Sequence, residues 1–318
     1  MIQILLNSLF LILGVAGLYY GAEFLIKGGV SVARKAGISS MVIGLTLVAF
    51  ATSAPELVVS VCAGLNGQSN ISLGNVVGSN ICNIALILGL CACISPLPVN
   101  KKLFKFDLPV MVIAALLLTL FCCCGAPLGR WQGGIFLAGI IFYTAWNIYS
   151  SKKENAGTSS EENETASCKS LFGAFVFVFV GLALLIGGAK LFLEGAVFCA
   201  KLLKISDAVI GLTVVAVGTS LPELATSLVA AVKKEQDIAI GNVVGSNIFN
   251  ILGILGIVPI ISPLKNYSIN MVDLGTMMAF SLLLLPLMRT QWKISRGEGA
   301  VLLLGYIAYT GYLILYHS

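Results

Sequence analysis

Gly44 to Leu57 reads GLTLVAFATSAPEL, and Gly211 to Leu224 reads GLTVVAVGTSLPEL. Ten of the fourteen positions are identical. A second stretch, GNVVGSNICN at Gly74 to Asn83, returns as GNVVGSNIFN at Gly241 to Asn250, with nine of ten positions kept. Both pairs stand 167 residues apart, and one spacing shared by two motifs marks the whole chain as a duplicated unit. Weaker matches extend it: Gly21-Ala22 with Gly188-Ala189, Gly28 with Gly195, Ile38-Ser39 with Ile205-Ser206, and Asp107 one position out of register with Asp273.

The surrounding sequence is apolar. Of 318 residues, 58% are hydrophobic and 10% charged, with a mean hydropathy of +0.99. Soluble domains carry about 25% charged residues, so a polytopic membrane protein is expected. A helical span needs about 20 apolar residues. Ten such runs fall near 4–27, 38–64, 70–95, 107–125, 131–150, 171–194, 207–232, 238–262, 269–288 and 298–316. Strand-like alternation is absent, so the spans read as helices. The first run has no small-residue cleavage site followed by a polar mature domain and reads as a retained span.

Lysine and arginine positions set the orientation. With the N-terminus outside, thirteen of the nineteen fall in inside loops, four in outside loops and two within spans. The positive-inside rule therefore predicts ten transmembrane helices with both termini outside. Five spans per half is an odd number, so the second copy enters from the opposite face, giving two inverted five-helix repeats at 1–150 and 171–318. The polar stretch 151–170, SKKENAGTSSEENETASCKS, reads as a solvated cytoplasmic linker. The compact chain and short linker point to a prokaryotic inner membrane.

Several function classes fall away. The net charge of +5 records orientation, not affinity for nucleic acid. The nine cysteines contain no CxxC pair and read as small hydrophobes in the packing. The one histidine is His317, which removes most histidine-based catalysis and histidine metal sites. No nucleophile with a positioned base is visible, so an enzyme is not expected.

What remains is a pair of misplaced charges. Glu56 and Glu223 lie well inside apolar runs and align at the offset of 167. A carboxylate at that depth costs at least about 2.5–3.5 kcal/mol. Two such costs at equivalent positions call for a compensating cation. Pro55 and Pro222 precede them, and a proline removes one helical N–H while crowding the carbonyl four residues back, here Ala51 and Gly218. Carbonyls of Ala49 to Thr52 and Ala216 to Thr219, with the hydroxyls of Thr52, Ser53, Thr219 and Ser220, then lie within a turn of a carboxylate. An all-oxygen shell of this kind suits calcium.

The second motif adds neutral oxygen. Ser79 and Asn83 are four apart and share one helix face, as do Ser246 and Asn250. Gly74 with Gly78, and Gly241 with Gly245, are GxxxG pairs that let helices pack closely. Asn75, Asn80, Asn242 and Asn247 are candidates for tying helices together. Two glutamates make a site of charge −2 that one calcium neutralises, while sodium must fill it in greater number with help from hydroxyl and amide oxygen. Competition at one site exposed alternately to each face is antiport.

These paired segments resemble the two α-repeats of the sodium/calcium exchangers in the cation/calcium antiporter superfamily, most similar to the compact prokaryotic members. The resemblance covers all ten spans. It implies Glu56 and Glu223 as central calcium ligands, with backbone oxygen from Thr52 and Thr219. It implies sodium sites drawing on Ala49, Ser53, Ser79, Ala216, Ser220 and Ser246, with the first and sixth spans sliding across the core. It further implies electrogenic exchange of several sodium ions for one calcium, with both ions as cargo, no cofactor, and a single chain sufficient for transport. Potassium-carrying members have aspartate where this chain has Asn250, so with Asn83 and Asn250 both neutral the exchange is expected to be potassium-independent. Proton/calcium members usually carry GNxxE where this chain reads GNVVG, which leaves proton/calcium or another divalent exchange as the alternative.

Overall fold

A computed structural model of the chain describes residues 2–124, 127–155, 170–203, 216–265, 267 and 270–317. Helix α1 is Ile2–Ala36. The next run divides into α2 (Ser40–Thr52) and α3 (Ala54–Leu65), bent by 46°. Then come α4 (Ser69–Ile94), α5 (Leu103–Cys123) and α6 (Arg130–Asn155). Helix α7 is Leu171–Leu202, and a short turn at Ala216–Gly218 leads into α8 (Leu221–Val232). Helices α9 (Gln236–Ile261), α10 (Met271–Arg289) and α11 (Arg296–His317) complete the chain.

Among the described residues, seven single helices and the bent α2–α3 pair are long and apolar enough to cross a membrane. The chain is an all-helical, multi-pass membrane protein. Helices α6 and α8 fall on the two other runs expected from sequence, although the beginning of the 207–232 run lies outside the described residues.

Glycine decides how α1 and α7 meet. Gly14, Gly21 and Gly28 recur every seven residues, and Gly181, Gly188 and Gly195 repeat them at the same offset of 167. A seven-residue period keeps one row of positions facing the same partner helix. A Cβ at Gly21 would stand 2.7 Å from the Leu185 nitrogen, and one at Gly188 would stand 2.7 Å from the Leu18 nitrogen. The two helices therefore touch backbone to backbone and form a locked pair.

The other helices interlock across the halves. Helix α6 packs on α9 where Gly133 meets the Gly256 carbonyl, and α11 packs on α4 where Gly299 meets the Gly89 carbonyl. Two-residue strands at Leu97–Pro98 and Lys293–Ile294 pair antiparallel, and Leu128 bridges Leu264 in the same sense. Helices α4 and α9 occupy the centre: 72% and 83% of their spans are buried, against 28% for α7.

Several expectations are refined. Gly241 and Gly245 do admit close packing, since a Cβ there would stand 2.9 Å from the Met41 oxygen and 2.5 Å from the Leu45 oxygen. Nothing described lies within 4 Å of a Cβ at Gly74 or Gly78, and the residues that the repeat would place there, 208 and 212, lie outside the described residues. Helix α6 continues through Asn155 into the 151–170 stretch, and Ser151 is buried, accepting the Ser39 N–H at 2.9 Å. Ser170 caps α7 by accepting the Gly173 N–H, and residues 156–169 lie outside the described residues. Asp107, at the start of the 107–125 run, is buried, with Tyr143 and Asn147 donating to its Oδ1 at 2.9 and 3.1 Å. Asp273 receives the equivalent bond from Tyr309 at 2.8 Å.

Candidate ion-binding site

The helix breaks create the site. Ser53 ends α2 with φ −83° and ψ 8°, and Ser220 precedes α8 with φ −87° and ψ 8°. Pro55 and Pro222 lie in the first turns of α3 and α8, where a missing N–H is tolerated and the carbonyl four residues earlier loses its helical donor. Glu56 and Glu223 occupy those same first turns, at the ends of helix dipoles that favour negative charge. Both are 0% exposed. The Ala49 carbonyl is partly used, accepting the Ser53 N–H at 3.0 Å and the Thr52 hydroxyl at 3.3 Å.

Each half holds the other's carboxylate. Ser53 Oγ donates to Glu223 Oε1 at 2.7 Å, and Ser220 Oγ donates to Glu56 Oε1 at 3.1 Å. Thr52 also approaches Glu223, and Thr219 approaches Glu56. Ser79 joins the group through Ser220, at 3.4 Å between hydroxyl oxygens. The expected residues Thr52, Ser53, Glu56, Ser79, Thr219, Ser220 and Glu223 are thus brought together. Ala216 opens the short turn leading into this break.

Asn83, Ser246 and Asn250 are all buried but make no hydrogen bond to either carboxylate. Asn83 lies in a π-helical segment, Cys82–Leu88, that packs on α8, and Asn250 lies in another, Phe249–Ile254, that packs on α3. Such segments recur at functional sites.

The other asparagines of the repeated motif act as struts. Asn75 Nδ2 donates to Ser60 Oγ at 2.9 Å and to the Glu56 carbonyl at 3.2 Å. Asn242 Nδ2 does the same for Ser227 Oγ at 2.9 Å and the Glu223 carbonyl at 3.5 Å, while its Oδ1 accepts the Thr52 hydroxyl at 3.2 Å. Asn250 Nδ2 donates to Asn80 Oδ1 at 3.1 Å, and Asn80 Nδ2 reaches the Asn247 carbonyl at 3.4 Å. Ser60 and Ser227 were not expected, yet both stand four residues after a glutamate and 167 apart, a signal present in the sequence. Cys82, expected to be packing alone, also touches Ser220.

The unsatisfied atoms define what the site takes. Glu56 Oε2, Glu223 Oε2, both amide atoms of Asn83, Asn250 Oδ1 and Ser246 Oγ are buried without a hydrogen-bond partner among the described residues. An unpaired buried polar group costs about 1–3 kcal/mol, and more when charged. Nearly all of these are oxygen acceptors, which a bound cation would satisfy together. Among the described residues no group of three or more His, Cys, Asp or Glu side chains could hold a metal, so the site rests on two carboxylates plus neutral oxygen.

A multi-pass helical protein with a buried, two-carboxylate oxygen site at paired helix breaks is a membrane ion carrier by construction. The sequence model of the family described as sodium/calcium exchanger protein matches residues 6–149 and 173–315, and the chain belongs to that family. Among its relatives, the putative antiporter CaxA of Alkalimonas amylolytica is 38% identical over 312 residues, covering 96% of this chain and 98% of that protein. The sodium/calcium exchanger MaX1 of Methanosarcina acetivorans is 35% identical, covering 96% and 98%. The sodium-calcium exchanger NCX_Mj, in a structure soaked with sodium and strontium, superposes with a TM-score of 0.81 at 35% identity, covering 96% of this chain and 97% of that one. Membership of that family makes the chain a membrane antiporter of the sodium/calcium exchanger type.

Proposed function

We propose that this chain exchanges several sodium ions for one calcium ion, electrogenically and without potassium, across a prokaryotic plasma membrane. Calcium lies between Glu56 and Glu223 with backbone oxygen from Thr52 and Thr219. Sodium takes sites built from Ala49, Ser53 and Ser79 and from Ala216, Ser220 and Ser246, with Asn83 and Asn250 supplying further neutral oxygen. The observation that carries this reading is the pair of buried carboxylate oxygens, Glu56 Oε2 and Glu223 Oε2, that no donor among the described residues satisfies.

The chemistry follows from charge and ligand type. One calcium cancels a −2 site and takes six to eight oxygen ligands. Sodium ions reach the same neutrality only in greater number and by drawing on hydroxyl and amide oxygen. Both cargoes need the same carboxylates, so one excludes the other. The neutrality of Asn83 and Asn250 supports potassium independence.

The architecture belongs to the same proposal. Ten transmembrane helices form two inverted five-helix repeats, 1–150 and 171–318, with both termini outside and the cytoplasmic linker between them. The reciprocal bonds Ser53–Glu223 and Ser220–Glu56 support this, as does a site completed within one chain.

The test is calcium-45 uptake into proteoliposomes loaded with sodium, set against potassium-loaded and pH-jumped vesicles. Uptake is expected to require internal sodium and to rise with an inside-positive potential. Uptake driven by the pH jump without sodium would overturn sodium coupling in favour of proton exchange. Undiminished uptake by Glu56→Gln would overturn the site.

A further inference from the structure

The duplication is nearly perfect at the ion site but breaks down at one edge of it, and the break concerns charge. Glu23 on α1 forms an ion pair with Lys233 at the end of α8. On the same helix, Arg34 lies within electrostatic range of Glu235. The offset of 167 maps Glu23 onto Lys190 and Lys233 onto Asn66; it maps Arg34 onto Lys201 and Glu235 onto Gln68. Neither counterpart pair contains an acid. Asn66, Gln68, Lys190 and Lys201 are all exposed, and α7 has no packing on α3 comparable to that of α1 along α8.

The turn beside these charges has the same backbone conformation in both halves. The turn after α3 uses Gly67 at φ +72°, where glycine is at ease, whereas the equivalent turn after α8 holds Lys234 at φ +66°. The bias of lysine and arginine toward one membrane face accounts for Lys233 and Lys234. It does not account for the acids Glu23 and Glu235 that meet α1 and α8 there.

Because α1 and α7 are locked by their glycines, they can shift against the other helices only as one body. The duplicated sequence offers that body two equivalent seats, α1 on α8 or α7 on α3. We propose that the ion pair Glu23–Lys233, aided by the attraction between Arg34 and Glu235, latches the α1/α7 pair in the first seat, and that the second seat, whose mapped counterparts of these pairs contain no acid, is the less populated state. The inference rests on the exchange reading and its topology, under which the α8 end is cytoplasmic and the resting carrier faces outward. Ions arriving from outside then meet the competent state, while ions arriving from inside bind more weakly by the fraction of time the other seat is filled.

The test is hydrogen–deuterium exchange on the full chain in lipid nanodiscs at low salt, following peptides that cover 228–238 and 60–70. An exposed ion pair shifts a two-state equilibrium by roughly 1.5- to 5-fold. Glu23→Gln and Lys233→Gln are each expected to raise exchange at 228–238 by such a factor. The reversed pair, Glu23→Lys with Lys233→Glu, is expected to restore protection. Asn66→Glu, which gives Lys190 an acid, is expected to loosen 228–238 and protect 60–70. Unchanged exchange in both single variants overturns the latch, and so does a reversed pair that fails to restore it. Because this readout involves no transport, a wild-type protein that fails to couple calcium to sodium would refute the exchange reading separately.

Discussion

Replacing Glu223 by glutamine removes a charge while keeping the shape of the side chain, so the two roles of that residue separate. Glu223 Oε1 already has a donor in Ser53 at 2.7 Å, and that bond survives in the amide. Oε2 has none among the described residues, and in the variant calcium faces one carboxylate where it had two. Losing one partner of a buried charge pair costs about 3–5 kcal/mol, and the lower figure raises the calcium Kd about 150-fold. At a calcium concentration 100 times the wild-type Kd, binding stabilises the native state by about 2.7 kcal/mol. In the variant the same concentration stabilises it by only about 0.3 kcal/mol. Without calcium the sign reverses, because a buried carboxylate that lacks a cation is replaced by a neutral group. Thermal unfolding in detergent, with calcium and with chelator, reads both arms. Retention of half or more of the calcium-dependent shift would refute the site, and so would a variant equally destabilised with and without calcium.

Other perturbations test the scaffold. Gly21→Leu forces a side chain against the Leu185 nitrogen and Gly181 oxygen, at 2.7 and 2.8 Å from its first carbon, and overpacking costs about 1–3 kcal/mol. Size-exclusion profiles of the fluorescently tagged protein are expected to show lost folded yield, whereas Gly187→Leu, with nothing described within 4 Å, leaves it intact. Asn242→Ala leaves the Thr52 hydroxyl with the Ala49 carbonyl to donate to and removes the amide that donates to the Ser227 hydroxyl and the Glu223 carbonyl, costing about 1–3 kcal/mol, and the calcium KM is expected to rise about tenfold. Pro222→Ala returns an N–H to the Gly218 carbonyl, so thermal stability is expected to hold or increase while calcium-45 flux falls.

Much of this molecule can be read from sequence because charge and proline stand out in apolar runs. Glu56, Glu223 and their prolines disclosed the breaks, and the single offset of 167 disclosed their equivalence. Burial of Asp107 was not legible, since its donors Tyr143 and Asn147 sit 36 and 40 residues further on. The π-helical segments at Gly44–Val48, Cys82–Leu88 and Phe249–Ile254 have no compositional signature that separates them from ordinary helix. The glycine heptads were available in full, but only Gly21, Gly28 and their partners entered as matches, and their purpose needed the α1–α7 contact. The serine that holds each glutamate was legible as a ligand but not as belonging to the opposite half, because nothing local says which copy it faces.

That crossing of serine and glutamate has a consequence for how the protein can be made. A contact in which i touches j and j touches i is the contact of a two-fold dimer, here carried within one polypeptide. A half synthesised alone presents Ser53 and Glu56 with neither counterpart, α1 without α7, and Leu97 without Ile294. The repeats are units of sequence but not of assembly. The emerging first half must wait in the bilayer, its glycine face uncovered, until the ribosome has delivered the second.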